Sequence, residues 1–418
     1  MNEERLNEKS SHTAETQPIQ ALKESALHEE KQVAGGRTEL TLSPGRPGNP
    51  DLICFSHLRW DFVFQRPQHL LTRAMRQFRV FFFEEPIWDD RFRLETRAVG
   101  ERLWVGVPHI PGHWSEEQKQ EGLRQLVDQM LERFGIRRYM GWYYTPMALS
   151  FTDHLKPQVT VFDCMDELSA FRGAPPQLLE MERRLMSQAD LVLTGGQSLF
   201  EARRHRHHNI HPFPSSIDRA HFGQARQPLP DPSDQRIIKG PRLGFFGVLD
   251  ERFDIDLLTE LARRRPEWQF IMLGPVVKID PASLPRFANV HYLGMKSYSE
   301  LPSYVAHWDV AMLPFAINES TKFISPTKTP EYLAAGKPVV STPIRDVVRP
   351  YGEKGLVAIA DSADAFERDI EACLSLSVPA RRRWLQEVDA YLSTISWDQT
   401  WTKIHQLISE QMLVKAIR

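Results

Sequence analysis

The chain has 418 residues, 41% of them hydrophobic and 25% charged, which is enough for two or three domains with sizeable cores. A formal net charge of −2 provides no global field that would attract a nucleic acid. Three distant cysteines, Cys54, Cys164 and Cys373, lack metal or disulfide-framework spacing, and no apolar run reaches the roughly 18 residues of a membrane span.

Residues 1–48 are acidic and polar, and they end in SPGRPGNP. Such a segment cannot bury enough apolar surface to offset the entropy lost on ordering, so we predict a disordered tail, with a recruitment segment as the alternative. It lacks the apolar core of a signal peptide, and the sparse cysteines fit a reducing compartment. We therefore expect a cytoplasmic protein.

Apolar runs alternate with amphipathic helical patterns from residue 51 onward. The predicted strands of the first half are DLICFSH (51–57), RVFFFE (79–84), LWVGV (103–107), YMGWYYT (139–145), TVFD (160–163) and DLVLTG (190–195), with helices at 115–135 and 177–189. Near-continuous apolar strands are typical of a parallel sheet covered on both faces. This predicts a doubly wound, Rossmann-like domain over 49–221.

A proline-rich, polar segment at 222–241 has no apolar period and is interpreted as a linker. Beyond it the alternation restarts, which predicts a second Rossmann-like α/β domain over 242–395. Its strands are RLGFFG (242–247), QFIMLG (269–274), NVHYLG (289–294), DVAMLP (309–314), KPVVST (337–342) and GLVAIA (355–360). Ligands of such sheets bind beyond the carboxyl ends of the strands, so the cleft between the domains is the expected site. A helix at 396–418 with an apolar stripe is expected to bridge the domains.

The stretch SPTKTPEYLAAGKPVVST (325–342) follows a predicted strand and contains Lys328 three residues before Glu331. Ser325 or Thr329 is the predicted N-cap of its helix. A lysine at the positive end of a helix is unfavourable unless an anion neutralises it. A diphosphate would do so, and Glu331 would accept hydrogen bonds from a ribose; a solvated lysine is the structural alternative.

This stretch and the preceding YLGMKSYSELPSYVAHWDVAMLPF resemble the donor half of GT-B glycosyltransferases, most closely the retaining family 4. The resemblance implies two facing Rossmann-like domains and a nucleotide-diphosphate sugar as donor. It assigns donor binding to residues after the strands of the second half: Gly247, Arg252, Pro314, Ser325, Thr327, Lys328 and Glu331. The family's second glutamate is replaced by Phe323, and its arginine and lysine after the glycine are replaced by Val248 and Phe253. Arg252 and Lys328 are the candidates to replace these cations.

The first half carries SHLRWDFVFQRPQHL (56–70), which resembles a signature of bacterial envelope GT-B glycosyltransferases. By that resemblance the segment lines the acceptor side of the cleft. The acceptor-side candidates are Arg59, Trp60, Arg66, His69, Glu167 and Gly196, and local packing or capping is the alternative for Arg66 and His69. Asp163 and Asp166 after another strand, with His57, are the catalytic candidates; capping of a short helix is the alternative for Asp166.

No metal site is predicted. Asp254 and Asp256 form an Asp-x-Asp pair, but Asp254 fits a helix N-cap better. The histidine-rich stretch RRHRHHNIH (203–211) is interpreted as a solvated helix end, with contact to an anionic membrane surface at the inner face as a second reading.

The sequence therefore predicts a metal-independent glycosyltransferase without a cofactor. Its expected partners are a nucleotide sugar and a glycan or lipid-linked glycan acceptor, with no nucleic acid, and the resemblance implies retention of anomeric configuration. The rival hypotheses are an inactive nucleotide-sugar-binding or scaffold subunit and, with less support, a nucleotide-sugar epimerase.

Overall fold

The computed structural model describes residues 49–417. Its first sheet has nine strands within that range, namely β1 (Asp51–Phe55), β2 (Val80–Phe83), β3 (Ile87–Asp89), β4 (Arg93–Gly100), β5 (Leu103–Pro111), β6 (Tyr139–Tyr143), β7 (Thr160–Cys164), β8 (Leu191–Thr194) and β9 (Ile210–Pro212). The order is β3-β5-β2-β1-β6-β7-β8-β9, and β4 pairs with β5 as an antiparallel strand. The tail predicted at 1–48 lies outside the described residues.

The second sheet has six parallel strands within the described part of the chain. They are β10 (Arg242–Phe246), β11 (Gln269–Leu273), β12 (Val290–Tyr292), β13 (Val310–Leu313), β14 (Val339–Ser341) and β15 (Ala358–Ile359), in the order β12-β11-β10-β13-β14-β15. Both sheets are therefore of the parallel, doubly wound kind that the alternating pattern predicts.

The helices cover both faces of the sheets. They are α1 (Arg66–Ala74), α2 (Glu116–Arg133), α3 (Leu149–Thr152), α4 (Leu178–Gln188), α5 (Gln197–Arg203), α6 (Arg219–Gly223), α7 (Ile255–Arg264), α8 (Leu301–Ala306), α9 (Lys328–Ala334), α10 (Arg345–Val347), α11 (Ala363–Leu374), α12 (Val378–Leu392) and α13 (Trp397–Ile417). None of them has both the length and the apolar content required to cross a membrane.

Strand alternation divides the first domain into two cores. Ile53 and Phe55 of β1 pack on one face, while Leu52 and Cys54 pack on the other, because successive strand residues point to opposite sides. The second core contains the apolar stripe of α13, Trp397, Trp401, Ile404 and Ile408. The last helix of the chain thus covers a face of the first sheet.

The segment between the two sheets is packed rather than extended in solvent. Gln235 is fully buried and its side chain bonds Tyr304 O and Trp308 Nε1, and Asp231 forms an ion pair with Arg242. These contacts fix the segment on the second domain, although its composition is polar.

Candidate functional site

A cavity of about 470 Å³ lies between the domains, at the carboxyl ends of their strands. Its first-domain wall includes 60–66 after β1, Met165 and Asp166 after β7, Gly195 and Ser215. Its second-domain wall includes Gly247, Arg252, Gly274, 295–298, Ser325, Thr327, Lys328 and Glu331. Loops from several strand ends of both sheets thus build one site, as expected for open parallel sheets.

Helix α9 begins at Lys328, with Thr327 as the preceding residue, so both predicted N-caps, Ser325 and Thr329, are wrong. Thr327 already has right-handed helical backbone angles (φ −58°, ψ −30°), which draws the start of the helix between the two predicted positions. Pro330 lies in the first turn, where its missing N–H would have no intrahelical acceptor. The first turn places Lys328 and Glu331 in the cavity wall together.

Lys328 lies directly over Gly247 in the loop after β10. Gly247 has a φ of +140°, and a Cβ there would be 2.2 Å from Lys328 Cε and 2.6 Å from Nζ. The ammonium also lies over the rings of Phe245 and Phe315, at 5.6 and 6.0 Å. Gly247 is therefore required both for its backbone and for the space that the lysine occupies.

Lys328 is partly buried and Glu331 is 3% exposed, and neither has an ion-pair partner among residues 49–417. Burial, with a smaller effect of Arg252, lowers the pKa of Lys328 to about 8. Burial raises the pKa of Glu331 to about 8, against the opposing effect of Lys328. A cation held this way in a cavity wall is suited to bind an anion that enters the cavity.

Arg252 supplies the second cation of the wall. Its Nε and Nη2 donate to both carboxylate oxygens of Asp250, and its guanidinium carbon lies 5.3 Å from the ring centre of Phe171, a first-domain residue. Across the cavity, burial raises the pKa of Asp166 to about 6, while Arg252 and Arg66 oppose the shift. Asp166 is the predicted catalytic residue that the structure places in the cavity.

Asp163 is not among the residues that line the cavity, so its predicted catalytic role has no support in the cavity geometry and stays a prediction. Its carboxylate is fully buried, and Arg66 contacts it through Nη2 at 2.9 Å and Nε at 3.1 Å, while Nη1 donates to Phe213 O at 2.6 Å. Arg66 itself lines the cavity beside Trp60. Asp163 therefore fixes the orientation of Arg66, which is one of the predicted acceptor-side residues.

Three further acceptor-side candidates do not line the cavity and have contacts elsewhere in the structure, so their acceptor role stays a prediction. His69 is buried and stacks on Trp397, with ring centres 4.6 Å apart. Glu167 forms an ion pair with Arg203 (2.7 Å). Gly196 does not face the cavity; a Cβ there would be 2.3 Å from Asp346 Oδ2, so the glycine makes room for that carboxylate.

The remaining predicted residues lie around the cavity rather than in its lining. Arg59 is held by Glu84 and Glu85, and the carbonyl of Pro314 accepts the N–H of Asp254 (2.8 Å). His57 is partly exposed, and burial of its ring, with a smaller effect of Lys278, lowers its pKa to about 4. The catalytic role predicted for His57 stays a prediction.

Sequence reasoning missed the aromatic wall formed by Phe64 and Tyr298. Tyr298 is stacked between Phe64 of the first domain (4.2 Å) and His221 of α6 (4.0 Å), and both Phe64 and Tyr298 line the cavity. The tyrosine follows β12 closely, so the strand-end rule was the signal that could have singled it out.

Asp254 accepts the N–H of Leu257 (2.9 Å) as the N-cap of α7, as the capping interpretation predicts. Within residues 49–417, no three or more His, Cys, Asp or Glu side chains form a group that could hold a metal ion. The expectation of a metal-independent site without a cofactor stays a prediction.

Residues 240–375 match the family model described as Glycosyl transferases group 1. A Bacillus subtilis (strain 168) protein named as a teichuronic acid biosynthesis glycosyltransferase, TuaH, is 26% identical over 295 residues, which are 59% of this chain and 73% of that protein. Residues 240–375 therefore form a domain similar to the group 1 glycosyltransferases. The predicted class of enzyme, a glycosyltransferase, is thereby confirmed.

Solved structures show the same fold for this glycosyltransferase. Sucrose-phosphate synthase from Thermosynechococcus elongatus has a TM-score of 0.64 at 14% identity and covers 88% of this chain and 100% of its own. Anabaena HepE in complex with UDP-glucose has a TM-score of 0.64 at 13% identity and covers 87% and 100%. WaaG, a glycosyltransferase of lipopolysaccharide biosynthesis, has a TM-score of 0.57 at 14% identity and covers 84% and 98%. The predicted GT-B fold is confirmed.

Proposed function

We propose that this glycosyltransferase transfers a sugar from a nucleotide-diphosphate sugar to a hydroxyl of a polysaccharide or lipid-linked glycan precursor, with retention. The observation that carries the proposal is the unpaired Lys328, held over Gly247 and beside Glu331 in the cavity wall. The names of the Bacillus relative and of the UDP-glucose complex support the polysaccharide product and the donor class. Retention rests on the family 4 resemblance.

The proposed chemistry uses the two cations and one carboxylate of the cavity. The donor's glycosidic bond to the diphosphate breaks while a bond to the acceptor oxygen forms, and Lys328 and Arg252 stabilise the charge that develops on the leaving diphosphate. Glu331 accepts hydrogen bonds from the ribose. Asp166 receives the hydrogen bond, and then the proton, of the acceptor hydroxyl.

The direct test is calorimetric titration of the full chain, without divalent metal, with UDP, GDP, their sugar conjugates and the free nucleosides. Lys328→Ala should weaken binding of the diphosphate about 10- to 100-fold, because a charge-assisted contact is lost, and should leave nucleoside binding unchanged. Lys322→Ala is the matched control, since its side chain is about half exposed and pairs with Glu319. Equal losses for diphosphate and nucleoside would refute the phosphate assignment.

Phe323, at the position of the family's second glutamate, favours a second candidate function. Its side chain packs against a core cluster of the first domain and offers no carboxylate to a donor. An inactive donor-binding subunit would bind the nucleotide sugar as tightly as the enzyme, yet transfer it to no acceptor. A transfer assay with glycan and lipid-linked acceptors, run beside the titration, separates the two.

A further inference from the structure

Asp250 is a buried carboxylate beside the cavity that the proposed chemistry does not use. It is 6% exposed and lies two residues before Arg252, in the loop after β10. Its Oδ1 accepts the backbone N–H of Arg252 (3.0 Å) and the side-chain Nε (3.0 Å), while its Oδ2 accepts Nη2 (2.6 Å). One carboxylate thus fixes both the turn of the backbone and the plane of the guanidinium.

The backbone on the other side of Arg252 is fixed as well. The carbonyl of Arg252 accepts the N–H of Ala316 (2.8 Å), and Phe253 and Phe315 form an isolated antiparallel bridge. Because the main chain is held from both sides, the direction of the guanidinium depends on the side-chain contacts with Asp250. Arginine presents its donors in a rigid planar fork, so fixing one edge of the fork fixes the other.

Asp250 bonds Nε and Nη2 of Arg252 but not Nη1, and the side chain lines the cavity. No residue in 49–417 accepts a hydrogen bond from Nη1, and Arg252 is part of the cavity wall with Lys328. Asp166 lies across the cavity and interacts electrostatically with Arg252. Without Asp250, the guanidinium is free to turn toward Asp166 and form an ion pair with it. Neither Arg252 nor Asp166 would then be available to a ligand in the cavity.

We propose that Asp250 is a positioning residue that orients Arg252 toward the diphosphate of the donor and keeps it from pairing with Asp166. This inference rests on the proposed donor class. In this proposal Asp250 and Arg252 together, rather than the arginine alone, replace the phosphate-binding cations of the family that this chain lacks. The unit acts on the phosphates and not on the nucleoside.

The test is a double-mutant cycle on the full chain, with UDP and GDP as diphosphate probes and uridine and guanosine as phosphate-free probes. Asp250→Asn keeps an oxygen for the backbone N–H of Arg252 but loses the charged two-point contact. We expect about tenfold weaker diphosphate binding and unchanged nucleoside binding. In an Arg252→Ala background, Asp250→Asn should cause no further loss, because Asp250 acts only through Arg252.

Asp256→Asn is the matched control, since Asp256 is exposed on α7. An unchanged or tighter diphosphate affinity of Asp250→Asn, an equal loss for the nucleoside, or a further loss in the Arg252→Ala background would overturn the positioning role. A wild-type chain that binds neither UDP nor GDP would instead overturn the proposed function, and this inference with it.

Discussion

Four ionisable side chains line the cavity, and their desolvation decides what each can do. They are Lys328, Arg252, Asp166 and Glu331, and Asp250 bonds Arg252 beside the cavity. Desolvation penalises a charge that has no partner, so the pKa values of Asp166 and Glu331 rise while that of Lys328 falls. Binding of a diphosphate would supply the charge that Lys328 lacks.

Asp166→Asn should lower kcat by about 100-fold, because the side chain can no longer accept the proton of the acceptor hydroxyl. In the wild type, kcat/KM should rise with pH through about 6, where Asp166 loses its proton, and this limb should be absent from the variant. The folded-state pKa lies above the usual value for aspartate, so ionised Asp166 costs stability above about pH 6, and that cost fades as the pH falls. The variant should therefore unfold at a slightly higher temperature at pH 7.5.

The measurement is a pH–rate profile of both proteins with a saturating donor. Binding of the diphosphate, titrated in parallel, should not weaken in Asp166→Asn, since a negative charge near the phosphates is removed. An ascending limb that survives in the variant would assign the titration to another group and leave Asp166 without a role in proton transfer.

At the scale of elements, a buried ion pair joins the start of α1 to the end of β7. Arg66 and Asp163 are 97 positions apart in the chain, and their side chains are 4% and 0% exposed. Removal of one member would leave the other charge buried without compensation. The pair thus couples the start of α1 to the strand that precedes Asp166.

Asp163→Ala should destabilise the fold by about 3–5 kcal/mol, because it leaves the guanidinium of Arg66 unpaired in the interior. The free energy of unfolding in urea gives the measurement. Replacing both residues, as Arg66→Met with Asp163→Leu, should recover much of the loss, since no buried charge remains. A loss below about 1 kcal/mol for Asp163→Ala would mean that water reaches Arg66 and that the pair is not structural.

The sequence predicted the elements that are apolar on both faces and missed those that are not. All twelve predicted apolar runs contain strands of the two sheets. Strand β4, RLETRAVG, was missed because it lies outside the main strand order, carries a charge at every second position from Arg93 to Arg97, and has no fully buried residue. Strand β9 has only three residues, too few to show a period.

For the site, proximity to a strand end could be predicted, but the partner of each side chain could not. Lys328, Glu331, Arg252 and Asp166 line the cavity as the strand-end rule requires. Asp163 lies at the end of β7 and His69 lies within α1, yet they contact Arg66 and Trp397 from distant parts of the chain. Contacts between residues that are distant in the chain produce no periodic pattern in a single sequence.

At the scale of the whole molecule, polar contacts hold the two domains together around the cleft. Asp346 of the second domain accepts the N–H of Ser198 (3.0 Å) at the start of α5 in the first. Ser325 Oγ accepts the N–H of Ser215 (3.2 Å), and Glu201 pairs with Arg349 (3.0 Å). These contacts keep the first-domain wall of the cavity against its second-domain wall.

Gly196→Ala should loosen this closure without contacting Lys328, Arg252 or Glu331, although the new Cβ would lie 3.1 Å from Ser325 Cβ. The added Cβ would lie 2.3 Å from Asp346 Oδ2, so the carboxylate must leave the N-terminus of α5. Lys328, Arg252 and Glu331 all belong to the second domain, so binding of a nucleoside diphosphate should change by less than about threefold, while kcat/KM for transfer should fall about tenfold.

Titration calorimetry, steady-state kinetics and the radius of gyration from solution scattering provide the readouts. Gly223→Ala is the control, because a Cβ there meets nothing within 4 Å. Equal losses of binding and transfer would place the damage in the donor site, whereas an unchanged kcat/KM would show that Asp346 does not hold the catalytic closure.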